Sequence, residues 1–348
     1  MNIKFALAAL VGVMMATVAS AQEASLKIGT GPEAFVYSKM FADYQDFVKK
    51  RNDNTCANVA VPQSKEVQTS GGMDNINNIL ANLVDGGIAQ DDVVQLLGTT
   101  NPKIAALKSL ATLHTNHLHI VALVKDFAYK TEVTRPAKFY EKGETITDTV
   151  ESKKSIRTLM DLKGLPVAAV GSGYVTAYNT DDRAAMGMIV NEYKSITEAM
   201  ADLKAGKVAA IMAMGGMPLP WITEGAEDKK DPSKSFGKLT ASEFVLVSAP
   251  MKDEGFVKKL GSPYFASQLV YPNLNAQGTW AISVKNQLFV RDYKSASKQQ
   301  ALATLRGCFE KWVPEMREAL GTHPSWQDVD DVNGNTALNW ARYDAKRK

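Results

Sequence analysis

Apolar residues between positions 72 and 84 recur at the spacing of an amphipathic helix. The apolar stripe consists of Ile76, Ile79, Leu80, Leu83 and Val84. Directly before it stand Ser70, Gly71 and Gly72. Ser70 can cap the helix, and the two glycines leave backbone N–H groups open to a ligand. The pattern therefore predicts a helix N-terminus that can hold a small anion.

Two further patterns occur once in each half of the chain. The first is a short strand, then G-[ST]-G, then a helix. It begins at Leu26, where the helix is expected over about 35–50, and again at Val167, where the helix is expected to run to about Tyr193.

The second pattern is L-x-x-G-x-[IV]-A, found at Leu83–Ala89 and Leu203–Ala209. In each copy an amphipathic helix ends at a glycine and a buried strand begins. Two patterns repeated in the same order predict an α/β fold with two similarly wound lobes. Ligands of open α/β sheets bind beyond the carboxyl ends of the strands, so the loops there are expected to converge on an interlobe cleft.

Two strongly patterned strands are expected to connect the lobes, an apolar one at His119–Val124 and an alternating one at Thr279–Val284. Lobe I should then comprise residues 22–122 plus 285–348, and lobe II should comprise residues 123–284. The polar stretch 126–155 is expected to form an excursion on lobe II.

Residues 1–21 have the features of a secretory signal peptide. Lys4 supplies the positive charge, Phe5–Val18 is apolar, and Ala19–Ala21 fits a cleavage site. We expect cleavage after Ala21 and export to the periplasm of a Gram-negative bacterium; the alternative is a retained membrane helix. No later segment has about 18 uninterrupted apolar residues, so no membrane insertion is expected after cleavage. A net charge of +3 gives no indication of a nucleic-acid partner.

The chain has two cysteines, Cys56 and Cys308. An exported protein meets an oxidising environment, in which a single disulfide between them is plausible. Two separate buried thiols are the alternative, and the sequence leaves both open.

Several short segments, in order along the chain, resemble the TAXI family of periplasmic solute-binding subunits of tripartite ATP-independent (TRAP) transporters. They are Ile28–Gly31, Ser70–Gly72, Gly87–Val93, His119–Ala122, Asp161–Gly164, Val170–Gly173, Gly215–Pro218, Tyr271–Pro272 and His323–Pro324. The resemblance implies a two-lobed, hinged fold of the type II-like "Venus flytrap" class. It also implies capture of a small organic solute, often a carboxylate such as glutamate, for delivery to a TRAP membrane permease.

The sequence departs from the family pattern in three places. The glycine-rich opening is replaced by Pro32–Tyr37, in which only Tyr37 resembles the expected aromatic. Asp91 adds a carboxylate beside Gln90, and the excursion at 126–155 is longer than the family leads us to expect.

Candidate ligand-binding residues come from the loops expected at the cleft. Those of lobe I are Thr30, Gly31, Tyr37, Ser70, Gly71, Gly72, Met73, Gln90 and Asp91. Those of lobe II are Ser172, Gly173, Tyr174, Thr176, Arg183, Gly215, Gly216 and Met217. Backbone and hydroxyl donors in these loops suit an anion, although turns and helix caps use the same residue types. The aromatic residues can close over a ligand or pack within a lobe.

The charged candidates each have two interpretations. Asp91 or Asp92 can pair with a ligand ammonium group, or cap the following helix, which suits Asp92 better. Arg183 can hold a distal carboxylate in a forked pair, or lie solvated on the surface.

The sequence shows no sign of catalysis, of a metal site or of a cofactor. His117 and His119 share a strand face, but no third ligand stands at suitable spacing. Val329 occupies the position where an EF-hand needs its first ligand. Ser172 lies in Gly171-Ser172-Gly173, which is too short for a nucleophile elbow. An exported hydrolase is therefore the weakest interpretation.

The sequence thus predicts a monomeric solute-binding protein that captures a small organic anion or amino acid by hinge closure. Each lobe would hold part of the ligand, so that only the closed form uses both sets of contacts. The alternative is a ligand sensor of the same fold that presents its bound ligand to a signalling receptor.

Overall fold

Helices and strands alternate along most of the chain. The computed structural model describes residues 25–31, 36–63, 69, 71–138, 142–334 and 338–344. The strands are β1 Leu26–Gly29, β2 Ala60–Pro62, β3 Gly86–Gln90, β4 Lys108–Leu123, β5 Phe127–Pro136, β6 Thr145–Lys154, β7 Pro166–Val170, β8 Ile189–Tyr193, β9 Ala210–Gly215, β10 Gly225–Ala226, β11 Phe236–Gly237, β12 Phe244–Leu246, β13 Phe265–Tyr271 and β14 Ala276–Val290.

The α-helices are α1 Val36–Lys50, α2 Asn54–Asn58, α3 Gly72–Leu80, α4 Asp91–Thr100, α5 Gly173–Ala184, α6 Ile196–Lys204, α7 Pro220–Thr223, α8 Glu254–Leu260 and α9 Ala296–Glu318. Short 3-10 turns lie at Pro102–Ala106, Leu159–Leu162, Pro232–Lys234, Pro272–Leu274 and Pro324–Asp328. Within the described ranges, no helix has the length and apolarity needed to cross a membrane. The expected signal peptide lies outside these ranges.

Two long antiparallel strands, β4 and β14, run side by side and connect the lobes. The main sheet has the order β2-β1-β3-β14-β4-β9-β7-β8, with β12 beside β4 and β13 beside β14. From its outer edge to the connecting strands, lobe I has the order β2-β1-β3-β14-β4. Lobe II, from its own outer edge, has the order β8-β7-β9-β4-β14. The two lobes therefore have the same winding with the connecting strands exchanged, which confirms the two-lobed α/β fold expected from the repeated patterns.

Lobe I packs helices on both faces of its strands. On one face, α1 and α9 form a core with Ile28, Ile88 and Leu288. A disulfide between Cys56 and Cys308, residues 252 positions apart, joins α2 to α9. On the other face, α3 and α4 cover a second core.

The predicted apolar stripe of α3 is partly wrong. Ile76 and Ile79 are fully buried, as expected for one face of a helix. The helix ends at Leu80, however, and Asn82 adopts a left-handed conformation with φ 64°. Leu83 consequently lies outside the helix and is 50% exposed.

The helix predicted to run to Tyr193 is also wrong. It ends at Ala184, because Ala185 adopts the left-handed conformation with φ 51° and closes the helix. The chain then reverses, and β8 pairs in parallel with β7 from Pro166↔Ile189 to Val170↔Tyr193. The apolar residues after Ala184 thus belong to an edge strand rather than to a longer helix.

The polar stretch 126–155 folds into a hairpin. Its strands β5 and β6 pair antiparallel from Phe127↔Lys154 to Pro136↔Thr145 and form a separate two-stranded sheet. Phe127 and Tyr129, at the base of the hairpin, pack against the core of lobe II.

Candidate ligand-binding site

A buried carboxylate joins the two lobes. Asp92, in the first turn of α4 in lobe I, has no exposed surface. Its Oδ2 atom accepts hydrogen bonds from Thr176 Oγ1 on α5 (2.6 Å) and from the Tyr264 hydroxyl (3.0 Å) in lobe II. Burial raises the pKa of Asp92, while these hydrogen bonds oppose that shift. Asp92 also meets the helix-cap expectation, because its Oδ1 atom accepts the Val93 N–H at 2.9 Å in the first turn of α4 while Oδ2 is used across the cleft.

A second contact crosses between the lobes beside the first. Arg183 Nη2 donates to Gln95 Oε1 on α4 at 3.0 Å. Its Nη1 atom donates to the carbonyls of Leu260 and Ser262, each at 2.8 Å. The Arg183 guanidinium also stacks over the Tyr264 ring, 5.4 Å from its centroid. Protein groups therefore hold this guanidinium, contrary to the role expected for it with a distal carboxylate. We call Asp92, Gln95, Thr176, Arg183 and Tyr264 the interlobe latch.

Tyr37 organises a buried polar cluster where lobe I meets the connecting strands. Its hydroxyl donates to Asn286 Oδ1 at 2.6 Å and accepts from Asn116 Nδ2 at 3.1 Å. Asn286 Nδ2 in turn donates to the His114 carbonyl at 3.1 Å. Burial raises the pKa of Tyr37, so its hydroxyl stays protonated and available as a donor.

Gln90 lies on the same face of the sheet as this cluster. It is directly opposite Asn286 in the β3–β14 pairing, and residues opposite one another share a face. It also alternates along β3 with Ile88, whose side chain packs in the core under α1. Gln90 is fully buried, and neither Oε1 nor Nε2 has a hydrogen-bond partner among the described residues.

Other buried polar atoms of this region also have no partner among the described residues. They are both ring nitrogens of His114, the Oδ1 atom of Asn116 and the Oγ atom of Ser325. The His114 and Tyr37 ring centroids lie 5.5 Å apart. The nearby Asn116 side chain opposes the burial-driven lowering of the His114 pKa. Neither ring nitrogen of His114, however, makes a hydrogen bond of good geometry with it. We call Tyr37, Gln90, His114, Asn116, Asn286 and Ser325 the polar floor.

Lobe II covers one end of the polar floor. A Cβ atom added to Gly216, just after β9, would lie 2.1 Å from Ser325 Oγ and 3.5 Å from His114 Cδ2. A larger residue at Gly216 would thus push the lobes apart. Burial, together with the nearby His323 and His117, lowers the pKa of His114 to about 3. The ring is therefore neutral at neutral pH and has one donor and one acceptor nitrogen.

The N-terminus of α3 lies at the carboxyl end of β3, against the backbone of Ala89 and Gln90. Gly71 precedes the nine-residue helix with φ 137°, and no side chain of the described residues caps it. Ser70, the expected cap, lies outside those residues. Gly72 packs on β3, where an added Cβ would lie 3.6 Å from the Gln90 backbone nitrogen. The loop carrying Gly31 abuts Gly71, with 3.6 Å between a Cβ added to Gly31 and the Gly71 Cα.

Asp91 is not placed to pair with a ligand ammonium group. It is buried and accepts hydrogen bonds from Gln287 Nε2 and from Trp340 Nε1, the latter at 2.9 Å. Successive residues at the strand end point to opposite faces, so Gln90 faces the floor and Asp91 faces the core beneath α4. The expectation of an ammonium contact at Asp91 is therefore wrong.

The remaining candidates of lobe I are spread around the cleft. Thr30 is buried and its Oγ1 atom accepts from Ser38 Oγ at 3.0 Å. Met73 is 37% exposed.

Those of lobe II line α5 and the loop after β9. Ser172 precedes α5, and Gly173 packs so closely on β9 that an added Cβ would lie 2.8 Å from the Met212 carbonyl oxygen. Tyr174 stacks on Tyr178, which is 48% exposed, at the surface side of the helix.

The loop after β9 is held by its own packing. Gly215 lies against Leu219, and the Met217 sulfur accepts the Val270 N–H at 3.2 Å.

His117 and His119 of β4 contact hydroxyl groups of the neighbouring strands β13 and β14. His117 Nδ1 contacts the hydroxyls of Ser267 and Ser283 at 2.7 and 2.9 Å, and His119 Nε2 contacts the Tyr271 hydroxyl at 2.9 Å. Within the described ranges, no cluster of three His, Cys, Asp or Glu residues is placed to hold a metal ion.

Sequence reasoning missed most of the polar floor. The sequence patterns do not predict His114, Asn116, Asn286 or Ser325 as site residues. A signal was present, since polar residues interrupt the otherwise apolar run of β4 at 114–117 and of β14 at 285–287. Two surface cavities of about 410 and 380 Å³ lie elsewhere, at the base of the hairpin beside Leu123 and Lys125.

Comparison with known proteins gives distant structural likenesses. No protein-family model matches the chain, and no curated protein sequence matches it. A GluR0 ligand-binding core in complex with L-glutamate matches with TM-score 0.42 and 11% identity, over 84% of this chain and 96% of the other. A Xanthomonas citri protein bound to ATP matches with TM-score 0.44 and 10% identity, over 89% and 90%.

A third likeness is to the arginine-, lysine-, histidine-binding protein ArtJ from Geobacillus stearothermophilus. It has TM-score 0.41 and 12% identity, and covers 86% of this chain and 97% of the other. At such scores the likenesses say nothing about ligand or mechanism. The fold assignment stands on the strand order described above.

Proposed function

We propose that this protein is an exported solute-binding protein that captures a small amino acid or organic anion between its lobes. The polar floor is the observation that carries this proposal. Fully buried polar atoms without partners cost about 1–3 kcal/mol each, and native proteins normally satisfy them with water or a ligand. Among the described residues, such atoms occur on Gln90, His114, Asn116 and Ser325 of the polar floor, and single ones occur on Asn75, His117, Arg291 and Trp326.

The surroundings of the floor suit a small molecule with both acceptor and donor groups. The N-terminus of α3, which no described side chain caps, offers backbone N–H groups and a positive dipole end to a carboxylate. The Gln90 and Asn116 amide oxygens would accept from an ammonium or hydroxyl group of the ligand. Neutral His114 and Gln90 Nε2 would supply further contacts without adding a net charge.

The interlobe latch supplies the closure step. Asp92 and Gln95 belong to lobe I, whereas Thr176, Arg183 and Tyr264 belong to lobe II. Closing the lobes makes these contacts and excludes water from the floor, whose residues are buried in this closed arrangement. A ligand bound on the floor would add contacts that only the closed form can use, which favours closure.

Delivery of the ligand to a TRAP-type membrane permease is the finer part of the proposal. It is supported by the TAXI-like segments in the sequence. Reconstituted permease that takes up the ligand only when this protein is added would support it. Equal uptake without the protein would refute the transport role and leave solute binding untouched.

A thermal-shift screen tests the binding function. Protein stripped of ligand by unfolding and refolding would be screened against amino acids, monocarboxylates and dicarboxylates. A compound at 100 times its dissociation constant should stabilise the fold by about 2.7 kcal/mol. A Gly216→Leu variant, which would wedge Ser325 away from lobe II, should lose this stabilisation. Failure of every small acid and amino acid to stabilise the wild type would overturn the proposal.

A further inference from the structure

The hairpin β5–β6 is the largest feature that solute binding leaves unexplained. Its two strands pair only with each other within the described ranges, so both outer edges lack a strand partner. A two-stranded ribbon alone is marginally stable in water, and three or more strands with an apolar face are needed for independent stability. Open strand edges are also the sites at which another chain can add.

One face of the hairpin carries the large apolar side chains of both strands. Side chains alternate between the faces, so Phe127, Tyr129 and Val133 of β5 share a face with Ile146 and Val150 of β6. Phe127 and Tyr129 pack on lobe II, but Val133 and Val150 are 47% and 43% exposed. Thr131, Arg135, Asp148 and Ser152 lie on the same face, and Arg135 pairs with Asp148 at 2.5 Å. The exposed part of this face is therefore mixed, with Val133 and Val150 as its exposed apolar members.

The charges on the opposite face select a partner. In an antiparallel pair, two opposed residues both point their N–H and C=O groups toward the other strand or both point them away. A two-fold axis between two copies of β5 must therefore pass through a position where a residue is opposite the same residue of the other copy. A pair centred on Lys130 would oppose two lysines, and one centred on Glu132 would oppose two glutamates. Centring on Thr131 instead places Lys130 opposite Glu132 of the partner subunit, twice by symmetry.

We propose that the protein forms a two-fold dimer in which β5 pairs with β5 of a second copy about Thr131. The same register places Tyr129 opposite Val133 of the partner subunit on the face with the large apolar side chains. The resulting sheet has four strands in the order β6-β5-β5-β6, and Val133 and Val150 of both copies lie on the same face of it. This replaces the monomer expected from the sequence, and it does not depend on the proposed function.

A cysteine placed on the axis tests the register. Opposed residues in antiparallel strands have Cα atoms about 4.5–5.5 Å apart, within the range that a disulfide spans. The two native cysteines are bonded to each other, so a Thr131→Cys variant has one free thiol. Mild oxidation should convert most of this variant to a covalent dimer on a non-reducing gel. Ser152→Cys is the matched variant on β6, and cross-linking there instead of at Thr131→Cys would overturn the proposal.

Charge exchange tests the selection of the partner. Analytical ultracentrifugation should show a concentration-dependent dimer for the wild type. Glu132→Lys should weaken it at least about tenfold, because Lys130 would then face lysine. The double variant Lys130→Glu with Glu132→Lys should restore it. Glu144→Lys, at the far end of the hairpin before β6, makes the same charge change at an exposed residue away from Lys130 and should leave the dimer intact.

Four outcomes would contradict this dimer. Sedimentation of the wild type as a monomer at every concentration would refute it. Equal loss of dimer in Glu132→Lys and Glu144→Lys would refute it, as would failure of the double variant to restore association. Cross-linking of Thr131→Cys to a membrane subunit rather than to a second copy would assign this edge to a different partner.

Discussion

Replacing Gln90 by methionine should make the ligand-free protein more stable and unable to bind its ligand. The Gln90 side chain is fully buried, and both of its amide atoms lack a partner among the described residues. Methionine has a similar length and volume without the polar atoms, so it can fill the same space at little packing cost.

The magnitude follows from the two unpaired atoms. A buried donor or acceptor without a partner costs about 1–3 kcal/mol, and this cost disappears when the polar group is replaced by an apolar one of similar shape. We therefore expect the free energy of unfolding of the stripped variant to rise by about 2–6 kcal/mol. The ligand-induced stabilisation of about 2.7 kcal/mol at 100 times the dissociation constant should be lost at the same time.

The assay is urea unfolding of the stripped protein, with and without the ligand found in the screen, together with calorimetric titration. Gln277→Met is the control, because Gln277 is an exposed residue of β14 outside the polar floor. The control should change neither stability nor ligand affinity. If Gln90→Met instead lowers stability by more than about 1 kcal/mol and binds ligand normally, Gln90 is a structural residue and the argument from unpaired atoms is wrong.

Three further changes test the latch and the core of lobe I. Thr176→Val removes one hydrogen bond to the Asp92 carboxylate and should weaken closure of the lobes by about 1.5–3 kcal/mol. The variant should bind ligand more weakly and show a larger radius of gyration in X-ray scattering. Unchanged ligand affinity and radius of gyration would exclude a latch. Burial raises the pKa of Asp92 in the folded protein. Its contribution to the free energy of unfolding is therefore greatest below its pKa in the unfolded chain and declines as pH rises through its pKa in the folded protein. The stability difference between wild type and Asp92→Asn should therefore shift against the wild type from pH 4 to pH 7, and a constant difference would contradict the raised pKa. Replacing Cys56 and Cys308 by serine should cost about 2–5 kcal/mol in unfolding free energy but leave ligand affinity unchanged, since the disulfide joins α2 to α9 away from the polar floor; a large loss of affinity would show that the bridge shapes the cleft.

Local patterns identified the repeated architecture because each repeat is short in sequence. The turn from helix to strand at Leu203–Ala209 and the strand–glycine–helix pattern at Val167 depend on neighbouring residues alone. Local patterns do not predict a helix end that depends on the backbone conformation of a single residue. Ala185 ends α5 by adopting a left-handed conformation that its sequence neighbourhood does not require.

The sequence by itself determined the two-lobed winding, the place of Gln90 and Tyr37 near the cleft, and the helix N-terminus after Gly71. These follow from periodicity and glycine positions, which act over a few residues. Only the tertiary structure decided that Asp92 rather than Asp91 reaches lobe II, because strand alternation turns Asp91 into the core of lobe I.

Tertiary structure alone also assembled the polar floor. The Asn116–Asn286 contact joins residues 170 positions apart, and the Tyr37–Asn286 contact joins residues 249 positions apart. No local pattern can indicate that such side chains will share one buried place. Their meeting depends on β4 and β14 lying side by side, and that pairing is a property of the whole sheet.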